Sequence, residues 1–154
     1  MRRAFFFAPA AVMIGLTATS VAQPPALDPR TAIVVPAPQK AFILSQMRQF
    51  VGAVQRIADG LATGDKAKVV EAARSRGLGA MRAMTDKPVG LENSMPAQWK
   101  SFGHTTHQGF DEIAEAAEQN KLTAEVLALL AATMKNCIAC HQTFRLVEGE
   151  APRR

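Results

Sequence analysis

Residues 137–145 read CIACHQTFR, and the fold prediction starts from this stretch near the C-terminal end of a 154-residue chain. On a helix, Cys137, Cys140 and His141 stand at positions i, i+3 and i+4, so their side chains share one face. The spacing C-x-x-C-H is the attachment pattern of a c-type haem, in which each thiol bonds to a vinyl group of the porphyrin and the imidazole binds the iron. The motif therefore predicts one covalent haem c, anchored by Cys137 and Cys140, with His141 as an iron ligand.

Two other kinds of site use similar residues. A structural zinc site needs four ligands, whereas this sequence has no second C-x-x-C pair and only His104 and His107 as further histidines. A thioredoxin-like dithiol stands near the start of a helix in a βαβ unit, but no strand pattern precedes Cys137. In an oxidising compartment the two thiols can also form a disulfide, which beside His141 we interpret as an intermediate or failure product of haem attachment. The haem interpretation is therefore favoured.

The N-terminus has the pattern of an export signal. Residues 1–22 begin with two arginines in the first three positions, continue with an apolar run, and end in the small-x-small cleavage pattern SVA. A membrane anchor is the alternative, but the apolar run is short for a span, contains Pro9 and Gly15, and is followed by no basic stop-transfer cluster. We predict a cleaved signal peptide, a periplasmic protein and no stable membrane insertion after cleavage. Covalent haem agrees with export, because c-type haem is attached outside the cytoplasm in bacteria.

An arm rich in proline precedes the first predicted helix. Residues 23–39 read QPPALDPRTAIVVPAPQ, with five prolines in seventeen positions and no helical period. This composition predicts an extended arm that lies outside the core.

The positive net charge does not indicate nucleic-acid binding. The formal charge of +5 falls to +3 when Arg2 and Arg3 leave with the signal peptide. The remaining basic residues are spread along the predicted helices, without a Lys/Arg cluster and with few aromatic residues to stack on bases. No charged patch is concentrated enough to predict a docking face, so the redox partners stay unidentified.

Residues 40–148 are predicted as one helical domain, followed by a short tail at residues 149–154. The four predicted helices span residues 39–62, 66–81, 96–119 and 123–147. The apolar positions of the first helix alternate in spacings of four and three, as in a helix packed in a bundle. These positions are Ile43, Met47, Phe50, Val54, Ile57 and Leu61. Because no stretch shows the period-two alternation of a half-buried strand, we predict an all-α fold, an antiparallel four-helix bundle with the haem attached on the C-terminal helix.

With this arrangement, the sequence resembles the class II cytochromes c, the cytochrome c′ and cytochrome c-556 family. The resemblance is carried by one C-x-x-C-H on the last helix followed by x-x-Phe-Arg, and it covers about residues 40–147. It implies that Cys137 and Cys140 carry the thioether bonds and that His141 is the proximal iron ligand. Arg145 would lie one helical turn beyond His141, either near the ring or in solvent. Members of the family are often homodimers, and this chain is a possible homodimer.

The sixth coordination position separates two kinds of protein in this family. In c-556-like members a methionine on the first helix completes a low-spin iron, whereas c′ members have a five-coordinate iron that is open to small gases. Met47 lies on the first predicted helix, about where the family has its methionine. Met47 also belongs to the apolar positions of that helix and packs equally well as a core residue.

Other candidate ligands have weaker support. Met134 lies on the haem helix itself and cannot reach the opposite face of the ring. His107 has the surroundings of a core-edge residue, and His104 is expected to be exposed. The remaining methionines near the second loop, which nothing directs toward the iron, are Met81, Met84 and Met95.

Two functions follow from these alternatives. The first is a periplasmic electron carrier with His141 and Met47 as axial ligands. The second is a c′-like five-coordinate haem protein that binds nitric oxide or carbon monoxide. An enzyme is not expected, since no base, nucleophile or second metal cluster accompanies the motif.

Overall fold

The structure, a computed structural model, describes residues 28–150. The predicted signal peptide lies outside the described residues, as do the first five residues of the predicted arm and the last four of the chain. Within the described part the chain is mostly helical, in agreement with the predicted helical class. In chain order the elements are β1 (Thr31–Val35), α1 (Ala37–Thr63), α2 (Lys66–Arg74), α3 (Leu78–Ala83), α4 (Leu91–Ser94), α5 (Ala97–Glu118), α6 (Thr123–Thr143) and β2 (Phe144–Glu148).

The turn between α1 and α2 is determined by local sequence. Gly64 adopts a left-handed conformation with a φ of 70°, and its N–H donates to the carbonyl of Gly60. Glycine has no Cβ to oppose this conformation and is therefore the usual residue beyond a helix end. Asp65 caps α2, because its Oδ1 accepts a hydrogen bond from the N–H of Lys68 at 3.0 Å.

The predicted second helix, residues 66–81, is wrong beyond Arg74, where α2 ends and the chain turns before α3. A carboxylate from α5 stabilises this break, since Asp111 accepts the N–H of Leu78 at 2.8 Å and pairs with Arg74 Nη1 at 3.0 Å. Gly77 permits this approach, because a Cβ there would collide with the Asp111 carboxylate. The break therefore depends on a distant residue, which local helix signals do not include.

The prediction that residues 23–39 lie outside the core is wrong for β1. Ile33 and Val35 are 4% and 0% exposed, whereas Thr31 and Ala32 are exposed. The run TAIVV is rich in β-branched residues, which fit a half-buried strand. Pro29 and Pro36 lie on either side of this five-residue strand, and such prolines favoured the prediction of an extended arm.

The predicted fourth helix, residues 123–147, is also wrong in its last residues. α6 ends at Thr143, and Phe144 has extended backbone angles (φ −122°, ψ 149°). β2 then pairs in parallel with β1, with Ile33 opposite Leu146. Parallel strands need a long connection, and here the whole helical body is that connection. No local pattern therefore marks the pairing.

Two apolar clusters form the core. The first cluster lies among α1, α2, α5 and α6, and its largest fully buried side chains are Ile57, Val69, Phe110, Ile113 and Val126. The second cluster joins the strands, the start of α1, the region of α4 and the end of α6. Its buried members are Ile33, Val35, Ile43, Leu91, Met95 and Phe144, and its partly buried members are Phe42, Met47, Trp99, Phe102, Cys140 and Leu146.

The long helices pack unevenly on one another. α1 packs extensively on α2, α2 on α5, and α5 on α6, whereas α1 and α6 make few contacts. α1 and α6 therefore pack loosely on each other, and residues of both helices contact the second cluster.

Candidate haem site

α6 brings Cys137, Cys140 and His141 together in its last two turns. The helix continues through the motif, since the hydroxyl of Thr143 donates to the carbonyl of Ala139 at 2.7 Å and the N–H of Phe144 donates to the carbonyl of Cys140. Positions i, i+3 and i+4 of a helix share one face. The two thiols are free and partly buried, and His141 is exposed.

The second cluster connects the motif with the first helix. Cys140 of α6 and Met47 of α1 both pack against it. Trp99 and Phe102 of α5 pack against it as well and contribute aromatic surface. The second cluster is therefore in contact with one thioether, one thiol of the motif and two aromatic side chains.

Met95 has a more central position than the sequence predicts. The sequence places it near a loop with nothing directing it toward the iron, yet it is 5% exposed and belongs to the second cluster, against which Met47 and Cys140 pack. The available signal was the spacing of Leu91 and Met95, which are four residues apart and are both buried. The second cluster thus contains two methionines.

The remaining candidate ligands lie elsewhere. His107 is buried beside Phe50, with a ring-centroid distance of 5.1 Å, and its Nδ1 is 2.6 Å from the carbonyl oxygen of Arg76. His104 and Met134 are exposed. Among the described residues, no group of three or more His, Cys, Asp or Glu side chains is arranged to hold a metal ion.

The protonation of the two thiols differs from that of a redox dithiol. Burial raises the pKa of Cys137, and burial together with the neighbouring Cys137 raises the pKa of Cys140. Reactive dithiols instead contain a thiolate, which occurs where the pKa is lowered. The C-terminal end of a helix adds to this effect, since its partial negative charge disfavours a thiolate. The raised pKa values and the position at the end of α6 therefore argue against a redox dithiol.

Arg145 differs from its sequence prediction. It lies on β2 and not one helical turn beyond His141, because α6 ends before it. Its Nε is buried without a hydrogen-bond partner and is 3.9 Å from the carboxylate of Asp28. The guanidinium of Arg30 hydrogen-bonds the same carboxylate and lowers the pKa of Asp28 to about 2.

Both α1 and α6 carry large apolar side chains that are exposed. On α1 these are Leu44 and Val51, which are 41% and 70% exposed, and on α6 Ile138 inside the motif is 54% exposed. In the part of the chain that the structure describes, α6 alone is long and apolar enough to cross a membrane by length and composition, and only 17% of its most apolar stretch is buried.

Two cavities of the structure lie away from the motif. One, of about 650 Å³, is lined by residues of α2, α3 and α5, and the other, of about 200 Å³, lies at the α1–α2 and α5–α6 turns. A macrocycle at Cys137 and Cys140 would therefore cover the apolar surface of α6 next to the second cluster and would occupy neither cavity. The residues present fit such a group, since they supply two neutral thiols, an exposed imidazole and an apolar face.

Comparisons of the chain with protein-family models, with curated proteins and with solved structures found no match.

Proposed function

We propose that this protein is a periplasmic electron carrier of the class II cytochrome c type, with one haem c bound covalently to Cys137 and Cys140. His141 and Met47 are its axial ligands. The order of helix packing, α1 on α2, α2 on α5 and α5 on α6, supports an antiparallel four-helix bundle with the haem on its last helix. The observation that carries the proposal is that Cys140 and Met47, which are far apart in sequence, pack against the same apolar cluster.

The chemistry of the site suits one-electron transfer. When bound, the haem supplies an iron that changes oxidation state by one electron. His141 and Met47 would hold that iron, and a thioether ligand would favour the reduced state and raise the potential. The second cluster, to which Phe42 and Trp99 contribute, would give the iron apolar surroundings. The proposed role is electron transfer to and from unidentified redox proteins, without a catalytic step on a substrate.

The test of this proposal is the spin state of the iron in the purified mature protein and in Met47→Leu. Leucine conserves the volume of methionine and removes its sulfur. We expect a low-spin spectrum that carbon monoxide does not shift in the unaltered protein, and a high-spin spectrum that carbon monoxide shifts in Met47→Leu.

Met95→Leu is the matched control, because Met95 is the same residue type in the same cluster. We expect it to leave the spectrum and the potential unchanged. If Met47→Leu changes neither of them, Met47 is not a ligand and the His/Met carrier is wrong. If Met95→Leu alone abolishes the low-spin spectrum, the ligand is Met95.

The packing of Met47 supports a second function. Met47 is partly buried in contact with the second cluster, so core packing alone accounts for its position. In that case the iron is five-coordinate and the protein binds nitric oxide or carbon monoxide, as c′-like members do. A high-spin spectrum that carbon monoxide shifts in the unaltered protein would favour this function over electron transfer.

We further propose that the haem, and not a lipid bilayer, covers the apolar face of α6. The presence of free thiols and an exposed imidazole on the same helix supports this assignment, since a lipid-facing helix has no need of them. The haem-loaded mature protein then fractionates with soluble proteins after lysis.

A further inference from the structure

β1 and the residues just before it lie across the end of α6 that carries the motif. β2 begins at Phe144, three residues after His141, and pairs with β1 along its whole length. Ile33 and Val35 of β1 are buried in the second cluster together with Phe144. The pairing therefore anchors the chain immediately after His141 to the apolar cluster.

Arg30 contacts the backbone of His141 directly. Its Nη1 donates to the carbonyl oxygen of His141 at 3.2 Å, while its Nε and Nη2 donate to the carboxylate of Asp28 at 3.0 and 2.7 Å. Asp28 orients the guanidinium through two parallel bonds, an arrangement that adds geometric specificity. The donor toward His141 is thus held in place by a second residue of the same segment.

The end of α6 needs such a donor. The last four carbonyl groups of a helix have no partner within the helix. In α6 the carbonyl of Cys140 accepts the N–H of Phe144, and the carbonyl of His141 accepts Arg30. A cation at this position is also attracted by the partial negative charge of the helix end.

We propose that residues 28–35 form a strap that holds the end of α6, and that Arg30 is a positioning residue for the imidazole of His141. This proposal rests on the proposed haem function. The imidazole is attached to a backbone whose carbonyl Arg30 holds, so the loss of Arg30 changes the orientation of the ring without removing a ligand.

The test compares Arg30→Ala with Lys40→Ala in the full mature chain. Lys40 is the matched control, because it pairs with Glu148 at the far end of β2 at 3.4 Å and is not part of the strap. In the haem-free chain with free thiols, we expect Arg30→Ala to speed hydrogen exchange of the Phe144 amide by about fivefold, the effect of one lost hydrogen bond. Lys40→Ala leaves that rate unchanged.

In the haem-loaded protein, we expect Arg30→Ala to shift the electron paramagnetic resonance g values and the midpoint potential, and Arg30→Lys to restore them, since lysine retains a donor for the His141 carbonyl.

Equal exchange rates in Arg30→Ala and Lys40→Ala would overturn the strap. A changed exchange rate with unchanged g values and potential, or no restoration by lysine, would overturn the positioning role. A mature chain that never acquires haem would refute the proposed function, while the exchange rates would still decide whether Arg30 holds the helix end.

Discussion

Burial sets the protonation of the side chains that the sequence singles out. It raises the pKa of Cys137 and Cys140 and lowers the pKa of His107, because apolar surroundings disfavour the charged form of each group. The Nδ1 of His107 faces the carbonyl oxygen of Arg76, which only accepts, so the imidazole proton is on Nδ1. His107 is therefore a neutral core residue, whereas His141 on α6 is exposed.

His107 makes folding stability dependent on pH. Its pKa in the folded protein lies below the ordinary value of 6.5, so the unfolded chain binds a proton first as the pH falls. The free energy of unfolding therefore declines as the pH drops below 6.5 and stops declining below the folded-state pKa. We expect His107→Gln, which keeps a donor for the carbonyl of Arg76, to remove this part of the decline in urea unfolding between about pH 8 and pH 5. His104→Gln is the control at an exposed position and retains the decline; an identical pH profile for both variants would contradict the prediction.

Close packing between α5 and α6 supports the helix that carries the motif. Gly109 of α5 faces Thr133 of α6, and a Cβ at position 109 would collide with the Thr133 hydroxyl and lie 3.1 Å from its Cγ2. Thr133 is 4% exposed and its hydroxyl donates to the carbonyl of Leu129 at 2.9 Å. The same residue is one turn before Cys137, whose thiol lies 3.9 Å from the Thr133 carbonyl. The position of the motif is thus linked to one small residue on α5.

Gly109→Ala is expected to destabilise the protein. The added methyl group must displace Thr133 or separate α5 from α6, and overpacking of this kind costs about 1–3 kcal/mol. Gly103→Ala, on the same helix, is the control: nothing lies within 4 Å of a Cβ there, so the better helix propensity of alanine stabilises by about 0.5–1 kcal/mol. Denaturant unfolding measures both values. If Gly109→Ala lowers the free energy of unfolding by no more than the size of the change in Gly103→Ala, α5 and α6 do not pack as closely as described.

Across the whole molecule, apolar surface is distributed unevenly. The first cluster lies among α1, α2, α5 and α6, and its largest side chains are fully buried. The second cluster has as many partly buried members as buried ones, and the helices α1 and α6 that contribute to it also carry exposed apolar residues. If the proposed haem binds at this side, it completes the core, and haem binding and folding stability are then coupled.

Replacement of both cysteines that are proposed to anchor the haem tests this coupling. In Cys137→Ala/Cys140→Ala we expect the haem to be lost on a denaturing gel, on which the unaltered protein retains it. If the haem contributes about 2–3 kcal/mol, the Tm of the variant falls by about 10 °C. We also expect the variant to bind a hydrophobic dye at the uncovered face of α6. Each single cysteine variant is the control, since one thioether still holds the haem. An unchanged Tm in the double variant would mean that the haem does not complete the core.

Local features of the sequence determined most of the helices and placed the motif residues on one face of a helix. Caps, turns and i, i+4 spacings act within a few residues, so Asp65 and the helical run through His141 were predictable from neighbours alone. Only the tertiary structure decided that α6 ends at Thr143, that β1 pairs with β2, and that Met47 and Met95 share a cluster with Cys140. These features depend on residues from opposite ends of the chain, whose contact forms only when the long connection between them folds.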